Sequence, residues 1–452
     1  MAAFHSRLPA ATAASALMLL ALGGCTGPVE APSVRSAPPG FSADTFSREG
    51  LISGATATEE GCRALPDGLW ASADRGERQE CIRFAAAGTE RPARTAVVYI
   101  PGDPGGVSYR FAGGRPYVEH VSEYYELSPE TRRAGVEALS GAMGGLPVIN
   151  MARPGMHGSS GNHALDRHSQ AEVELLDDAL TQIRKRFGFA EFVIAGFSSG
   201  GTITANLLAR RTDIRCAVIA SAPLDLAGYY RRDDGTALDY YNMRSGDLAD
   251  PMDSLRAIRS DAIVFVFGDQ GDRNVPASSW GAWVDAARRA GLHVYAAEVP
   301  GLERPELGGN VASRHHTSSY AMEVSYACAK DVPAAQVLQA LRLGRPILVP
   351  RGRRLSGAEI RAAFAGQSLR ATEWYPRVNI SSRWGTDGTL SYFDVGHGEE
   401  RIAILRWWVE GDRLCTTRHG CGDVFAEGRF LHVVRGNPPR LRVTFVMPPP
   451  RG

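Results

Sequence analysis

Short apolar runs separated by amphipathic stretches dominate the first two thirds of the chain. "TAVVYI" (95–100), "PVIN" (147–150), "FVIA" (192–195), "CAVIAS" (216–221), "AIVFVF" (262–267) and "HVYAAEV" (293–299) are rich in β-branched residues and lack a polar face. Such runs predict strands covered on both sides, as in a parallel sheet. Helical patterns lie between them. Val173, Leu176, Leu180, Ile183 and Phe187 share one face of a helix opened by a Ser169-Gln170-Ala171-Glu172 capping box and stopped by Gly188. Ser278 to Ala290, closed by Gly291, predicts another. Strands alternating with helices at this spacing predict an α/β domain with a doubly wound, mainly parallel sheet, placed at 44–330. Residues 44–94 show no such pattern and read as an irregular lead-in.

After Lys330 the texture shifts. A short helix is predicted over Leu355 to Ala365, with Ser356 and Glu359 as its start signals. "TLSYFD", "AILRWWVEG", "RFLHVV" and "LRVTFVM" then alternate between Gly and Asp turns, predicting a small, mostly-β domain over 331–452. Its pattern L-S-G-x-E-I…D-G-T…W-x-V-E-G-D-R-L-C resembles a module of other proteobacterial proteins. Trp384, Trp407 and Trp408 would suit a glycan strip, but core is the commoner fate of such residues.

The first residues change the picture of where the chain works. Arg7 gives a charged start, and Ala10 to Leu22 is apolar but too short to span a bilayer. The segment ends Leu22-Gly23-Gly24-Cys25, which resembles the lipobox of bacterial lipoproteins. That resemblance implies a signal peptide over 1–24 and a diacylated Cys25, which anchors the chain to a membrane of the cell envelope, facing the periplasm. More than one acyl chain holds a protein stably at a bilayer. The alternative is a soluble exported protein with Cys25 incidental. Thr26 to Ala43, rich in Pro, Ser and Gly, reads as a tether within 25–43.

Export implies an oxidising compartment, and seven cysteines less Cys25 leave an even number. Cys62 with Cys81 and Cys415 with Cys421 are near in sequence, which leaves Cys216 with Cys328; a buried free thiol at Cys216 is the alternative. The 44% hydrophobic and 22% charged content is that of a globular protein. A formal net charge of +1 gives no footprint for nucleic acid, and none is expected as a partner.

Candidate chemistry centres on Gly196-Phe197-Ser198-Ser199-Gly200, which fits G-x-S-x-G directly after a predicted strand and before a predicted helix. A serine on that sharp turn has its hydroxyl pushed clear of the sheet, and flanking glycines avoid collisions that Cβ atoms would cause. A capping serine in a tight turn is the plain structural alternative. In this context the stretch resembles the nucleophile elbow of the α/β-hydrolase fold, over about 95–330.

The resemblance implies the chain order serine, acid, histidine. "AIVFVFGDQGDRNVP" puts two aspartates beyond a strand; Asp272 matches a D-x-x-V-P phrase common after the acid-bearing strand, with Asp269 as the other candidate. "RHHTSS" (314–319) offers the base: His316, just before a predicted helix start, is the expectation, with His315 close behind. For the oxyanion the resemblance implies the backbone N–H of Ser199 and one from the early glycine-rich loop "VVYIPGDPGG", where Asp103 is aligned as donor. That loop looks like the H-G-G-P-G loop of proline-iminopeptidase-type hydrolases, with Pro101 in place of the histidine. "MARPGMHGSSG" (151–161) resembles the R-G-x-G-x-S turn of the same enzymes.

The implied function is a serine hydrolase acting on a small ester or amide through an acyl-enzyme. The interval from Ser198 to Asp272 must hold two helices and two strands, which leaves little chain for a cap and favours an esterase over an exopeptidase. A lipid-tethered binding protein without catalysis is a different class, permitted by the doubled histidine and by Pro101. A metal centre built from His157, His163 and His168, or from Asp269 with Asp272, matches no zinc spacing; no metal or cofactor is expected.

Overall fold

The computed structural model describes residues 36–448, apart from 105–106, 113–114, 122–124, 126–127, 232–245, 260, 302–312, 351, 375–376, 395–400 and 438. The expected signal peptide, Cys25 and most of the tether lie outside the described residues.

Among the described residues, the α/β part contains β1 (Gly68–Ala73), β2 (Arg78–Ala87), β3 (Thr95–Ile100), α1 (Pro129–Ala142), β4 (Val148–Met151), α2 (Gln170–Phe187), β5 (Glu191–Phe197), α3 (Ser199–Arg210), β6 (Ile214–Ala220), β7 (Ile263–Gly268), α4 (Ala277–Arg289), β8 (Val294–Glu298), α5 (Ser318–Ala329) and α6 (Ala334–Arg342). The sheet runs β1-β2-β4-β3-β5-β6-β7-β8, with β3 to β8 mutually parallel and β2 antiparallel to both of its neighbours, β1 and β4. Period-two alternation feeds both faces. Phe192 and Ile194 of β5 pack with α2, α3 and α4, whereas Val193, Ala195 and Phe197 pack with α1, α5 and α6. This is the α/β-hydrolase arrangement, with the carboxyl ends of the parallel strands gathered at one rim.

The lead-in is not irregular. β1 and β2 form a hairpin that extends the main sheet, and Cys62–Cys81 ties it to the helix before it. The layer also continues past 330, because Ala334, Val337, Leu341 and Leu348 bury in the same core as α5. Cys216 of β6 is joined to Cys328 of α5, and Cys415 to Cys421.

Ser169 caps α2 by accepting from Glu172 N–H, but the Glu172 carboxylate does not return the bond as a capping box would. It accepts instead from His168 N–H and from Arg153.

Beyond the α/β part, α7 (Gly357–Phe364) precedes β9 (Ser368–Trp374), β10 (Arg377–Trp384), β11 (Thr389–Asp394), β12 (Arg401–Glu410), β13 (Arg413–Thr416), β14 (Gly420–Glu427), β15 (Phe430–Arg435) and β16 (Arg440–Val446). Each strand pairs antiparallel with the next, and β16 pairs with β9, so the meander closes into a barrel. Closure removes the sheet edges, and side chains fill an interior of this size. Trp384, Trp407 and Phe445 pack inside against Phe364 of α7. Trp408 faces outward and is 41% exposed, so the three tryptophans do not form one strip. The barrel docks on the helices behind the sheet: Phe430 sits where a Cβ on Gly141 would be, Arg429 bonds Glu137, and Arg440 reaches Glu323 and stacks on Tyr320.

Candidate active site

β5 ends in the elbow. Ser198 has φ 53° and ψ −130°, a positive-φ backbone that costs a non-glycine residue energy and persists only where its surroundings enforce it. The enforcement is visible. A Cβ on Gly196 would lie 2.2 Å from Gly200 O, and one on Gly200 would lie 2.2 Å from Ile100 O. Strand, helix and the loop after β3 therefore meet at van der Waals limits around the serine. Ser198 N–H donates to Ala220 O (2.9 Å) on the neighbouring strand. The Ser198 side chain is partly exposed.

Asp272 follows β7 and is held in a turn: its Oδ1 accepts from Asn274 N–H (2.8 Å) and Val275 N–H (3.0 Å). Its Oδ2 lies 2.7 Å from His315 Nδ1, and both side chains are buried. His315 Nε2 is buried and makes no hydrogen bond in the structure. The ring sits 4.9 Å, centroid to centroid, from Phe197, the residue before Ser198.

The imidazole bonded to Asp272 is thus His315, not the expected His316. Both rings pack around Phe197, and His315 is the one bonded to Asp272. His316 stacks on Phe197 (5.4 Å, 22° between planes). Burial, with a contribution from the His315 charge, pushes its pKa down to about 4.

Asp269 has a different task from Asp272. Its buried carboxylate accepts from Gly271 N–H (2.7 Å), Gly301 N–H (2.7 Å) and Arg314 Nε (3.1 Å). It therefore fastens the residue before His315, whose own backbone is at φ 60°.

The loop after β3 reaches the elbow: a Cβ on Gly102 would lie 2.8 Å from Ser198 Cβ. Gly105 and Gly106 of this loop lie outside the described residues. Ser199 opens α3, so its N–H has no partner within the helix. Asp103 enters a buried charged cluster that sequence reasoning missed. Arg153 Nη1 donates to Asp103 Oδ1 (2.8 Å) and to Ser199 Oγ (2.6 Å), and Arg153 Nε donates to Glu172 Oε1 (2.8 Å). Arg167 Nε donates to Asp103 Oδ2 (3.0 Å) and its guanidinium lies over the Tyr109 ring. Burial alone would raise the Asp103 pKa, but Arg167 and Arg153 outweigh it and hold the carboxyl well below its ordinary value. The one sequence signal was the turn containing Arg153, which carried a resemblance but no assigned role.

The histidines weighed for metal are dispersed in roles. His168 Nδ1 lies 2.7 Å from Tyr230 OH, and His163 Nε2 lies 3.2 Å from Asp103 Oδ1 without the alignment of a hydrogen bond. Among the described residues, the side chains with metal-ligand proximity are Glu410, Cys415 and Cys421, and those two sulfurs are spent in a disulfide.

No protein-family model matches the sequence, and no curated protein matches it. Similar solved structures include acylaminoacyl peptidase of Pyrococcus horikoshii, 14% identical with a TM-score of 0.38 over 58% of this chain and 42% of that one. An esterase of Pyrococcus furiosus is 12% identical with a TM-score of 0.38, over 57% and 90%. A puromycin-hydrolyzing peptidase of Mycobacterium tuberculosis is 16% identical with a TM-score of 0.38, over 62% and 44%. The chain spans less than half the length of the first and third.

Proposed function

We propose that this chain is a serine hydrolase that cleaves a small carboxylic ester through an acyl-enzyme, working at the cell envelope on a lipid tether at Cys25. The observation that carries the proposal is the buried Asp272–His315 pair, its second ring nitrogen unbonded and its ring 4.9 Å from that of Phe197, the residue before a serine held at φ 53°. Nothing in a capping turn calls for either feature.

In this reading Ser198 Oγ attacks the carbonyl carbon while His315 Nε2 takes its proton. Asp272 keeps the proton of Nδ1 facing it, which fixes the tautomer and steadies the imidazolium. The oxyanion is held by the N–H groups of Ser199 and Asp103. His315 returns its proton to the departing alcohol, and water then repeats the sequence on the acyl-enzyme. An ester is favoured over a peptide because the interval between Ser198 and Asp272 must also hold α3, β6 and β7, which limits the chain left for a cap.

The test is hydrolysis of short-chain aryl esters by the purified protein. Ser198→Ala is expected to abolish it; equal activity in that variant would remove Ser198 as the nucleophile. Turnover of aminoacyl arylamides with no turnover of esters would replace the esterase by an exopeptidase.

A further inference from the structure

Ser199 and Asp103 are far apart in sequence, yet their side chains share one buried donor. Ser199 Oγ donates to Asp103 Oδ1 (2.7 Å), and Arg153 Nη1 donates to both atoms, 2.6 Å to the hydroxyl and 2.8 Å to the carboxylate. Arg153 is itself immobilised, fully buried and bonded to Glu172 at the start of α2. These three groups form a closed polar triangle between the loop after β3, the turn after β4 and the first residue of α3.

We propose that Arg153 and the Ser199 hydroxyl are positioning residues for the oxyanion site: they lock together the two residues whose backbone N–H groups would hold the developing charge. This rests on the serine-hydrolase reading above. A donor pair acts on a transition state only at a fixed separation, and small misplacements are costly. Backbone packing of Gly200 against Ile100 brings the helix end and the loop together, and the bridging side chains fix how Ser199 and Asp103 sit relative to each other. A second consequence concerns charge. A carboxylate on the donor loop would oppose an oxyanion beside it, and Arg153 and Arg167 neutralise it. The triangle thereby sets both geometry and sign.

Ser199→Ala tests the proposal in the full chain, because it removes the hydroxyl while keeping the backbone N–H and all buried charges. Arg153→Lys is the second variant. It retains a cation but loses the simultaneous reach to Asp103, Ser199 and Glu172, and thermal melting shows whether it remains folded. The expected result for Ser199→Ala is a fall in kcat on an aryl ester of roughly 10- to 100-fold with KM within about twofold. Affinity for an alkyl boronic acid, which forms a charged tetrahedral adduct on the serine, is expected to weaken by a similar factor. Unchanged kcat and boronate affinity would overturn the inference, as would a raised KM at constant kcat, which places the network in ground-state binding. Wild-type protein whose Ser198 fails to react with a fluorophosphonate would remove the serine-hydrolase reading itself, and the inference with it.

Discussion

His315 Nδ1 lies 2.7 Å from Asp272 Oδ2, and neither side chain reaches solvent. The adjacent histidine has no hydrogen bond to Asp272 and stacks on Phe197. The two residues should therefore differ sharply when replaced. His315→Ala is predicted to lower kcat by about 10⁴-fold or more. His316→Ala, which removes a ring with no hydrogen bond to Asp272, is predicted to cost less than about tenfold. Steady-state kinetics on one aryl ester separates them, and the reverse ranking would return the base to His316.

Gly102 brings the early loop against the elbow. A methyl group there would lie 2.8 Å from Ser198 Cβ and 3.0 Å from Phe197 O, well inside van der Waals contact. Gly102→Ala is predicted to cut kcat/KM by at least about 100-fold, because misplacement on this scale is costly at a reacting centre. Kinetics on the folded variant checks it.

Asp269 holds the segment that delivers His315 without touching the ring. Asp269→Asn weakens its bonds to Arg314, Gly271 and Gly301. Arg314 is substantially exposed, so the ion pair itself contributes modestly. The expected outcome is a Tm lower by a few degrees and a kcat lower by about tenfold, against about 10⁴-fold for Asp272→Asn. Equal losses for the two variants would place Asp269 in the chemistry.

His432 lies buried in the barrel, where burial pushes its pKa from 6.5 down to about 4. The unfolded chain therefore takes up a proton that the folded chain refuses. Its contribution to stability is intact above pH 6.5 and is lost as pH falls from there toward about 4, amounting to roughly 3 kcal/mol at most. His316 acts with the same sign. Thermal melts across this range should show Tm falling on acidification, with a smaller fall in His432→Gln. An identical pH slope in that variant would contradict the assignment.

Legibility in the sequence followed local signal. β3 was readable to the residue because "TAVVYI" is buried on both faces. β1 and β2 were not, because Ala71, Ser72, Ala73 and Ala85 to Ala87 are too small to mark an alternating face, although β1 does alternate in burial. The terminal strands of the barrel looked like any other strands, and its closure depends on Ala371 meeting Phe445, a pairing with no local cue. The elbow was legible because Gly196, Ser198 and Gly200 sit within one turn. The choice of His315 was not, since nothing local tells which of two adjacent histidines reaches the distant Asp272. Arg153 stayed hidden because its partners come from three separate segments.

The most direct measurement is reaction of the purified chain with a fluorophosphonate, followed by peptide mass mapping. Only a serine with an aligned base reacts readily with such a probe. The adduct is predicted on Ser198, suppressed strongly in His315→Ala and retained in His316→Ala. An unlabelled Ser198, or labelling of Ser198 that persists undiminished without His315, would contradict the proposed relay of Ser198, His315 and Asp272.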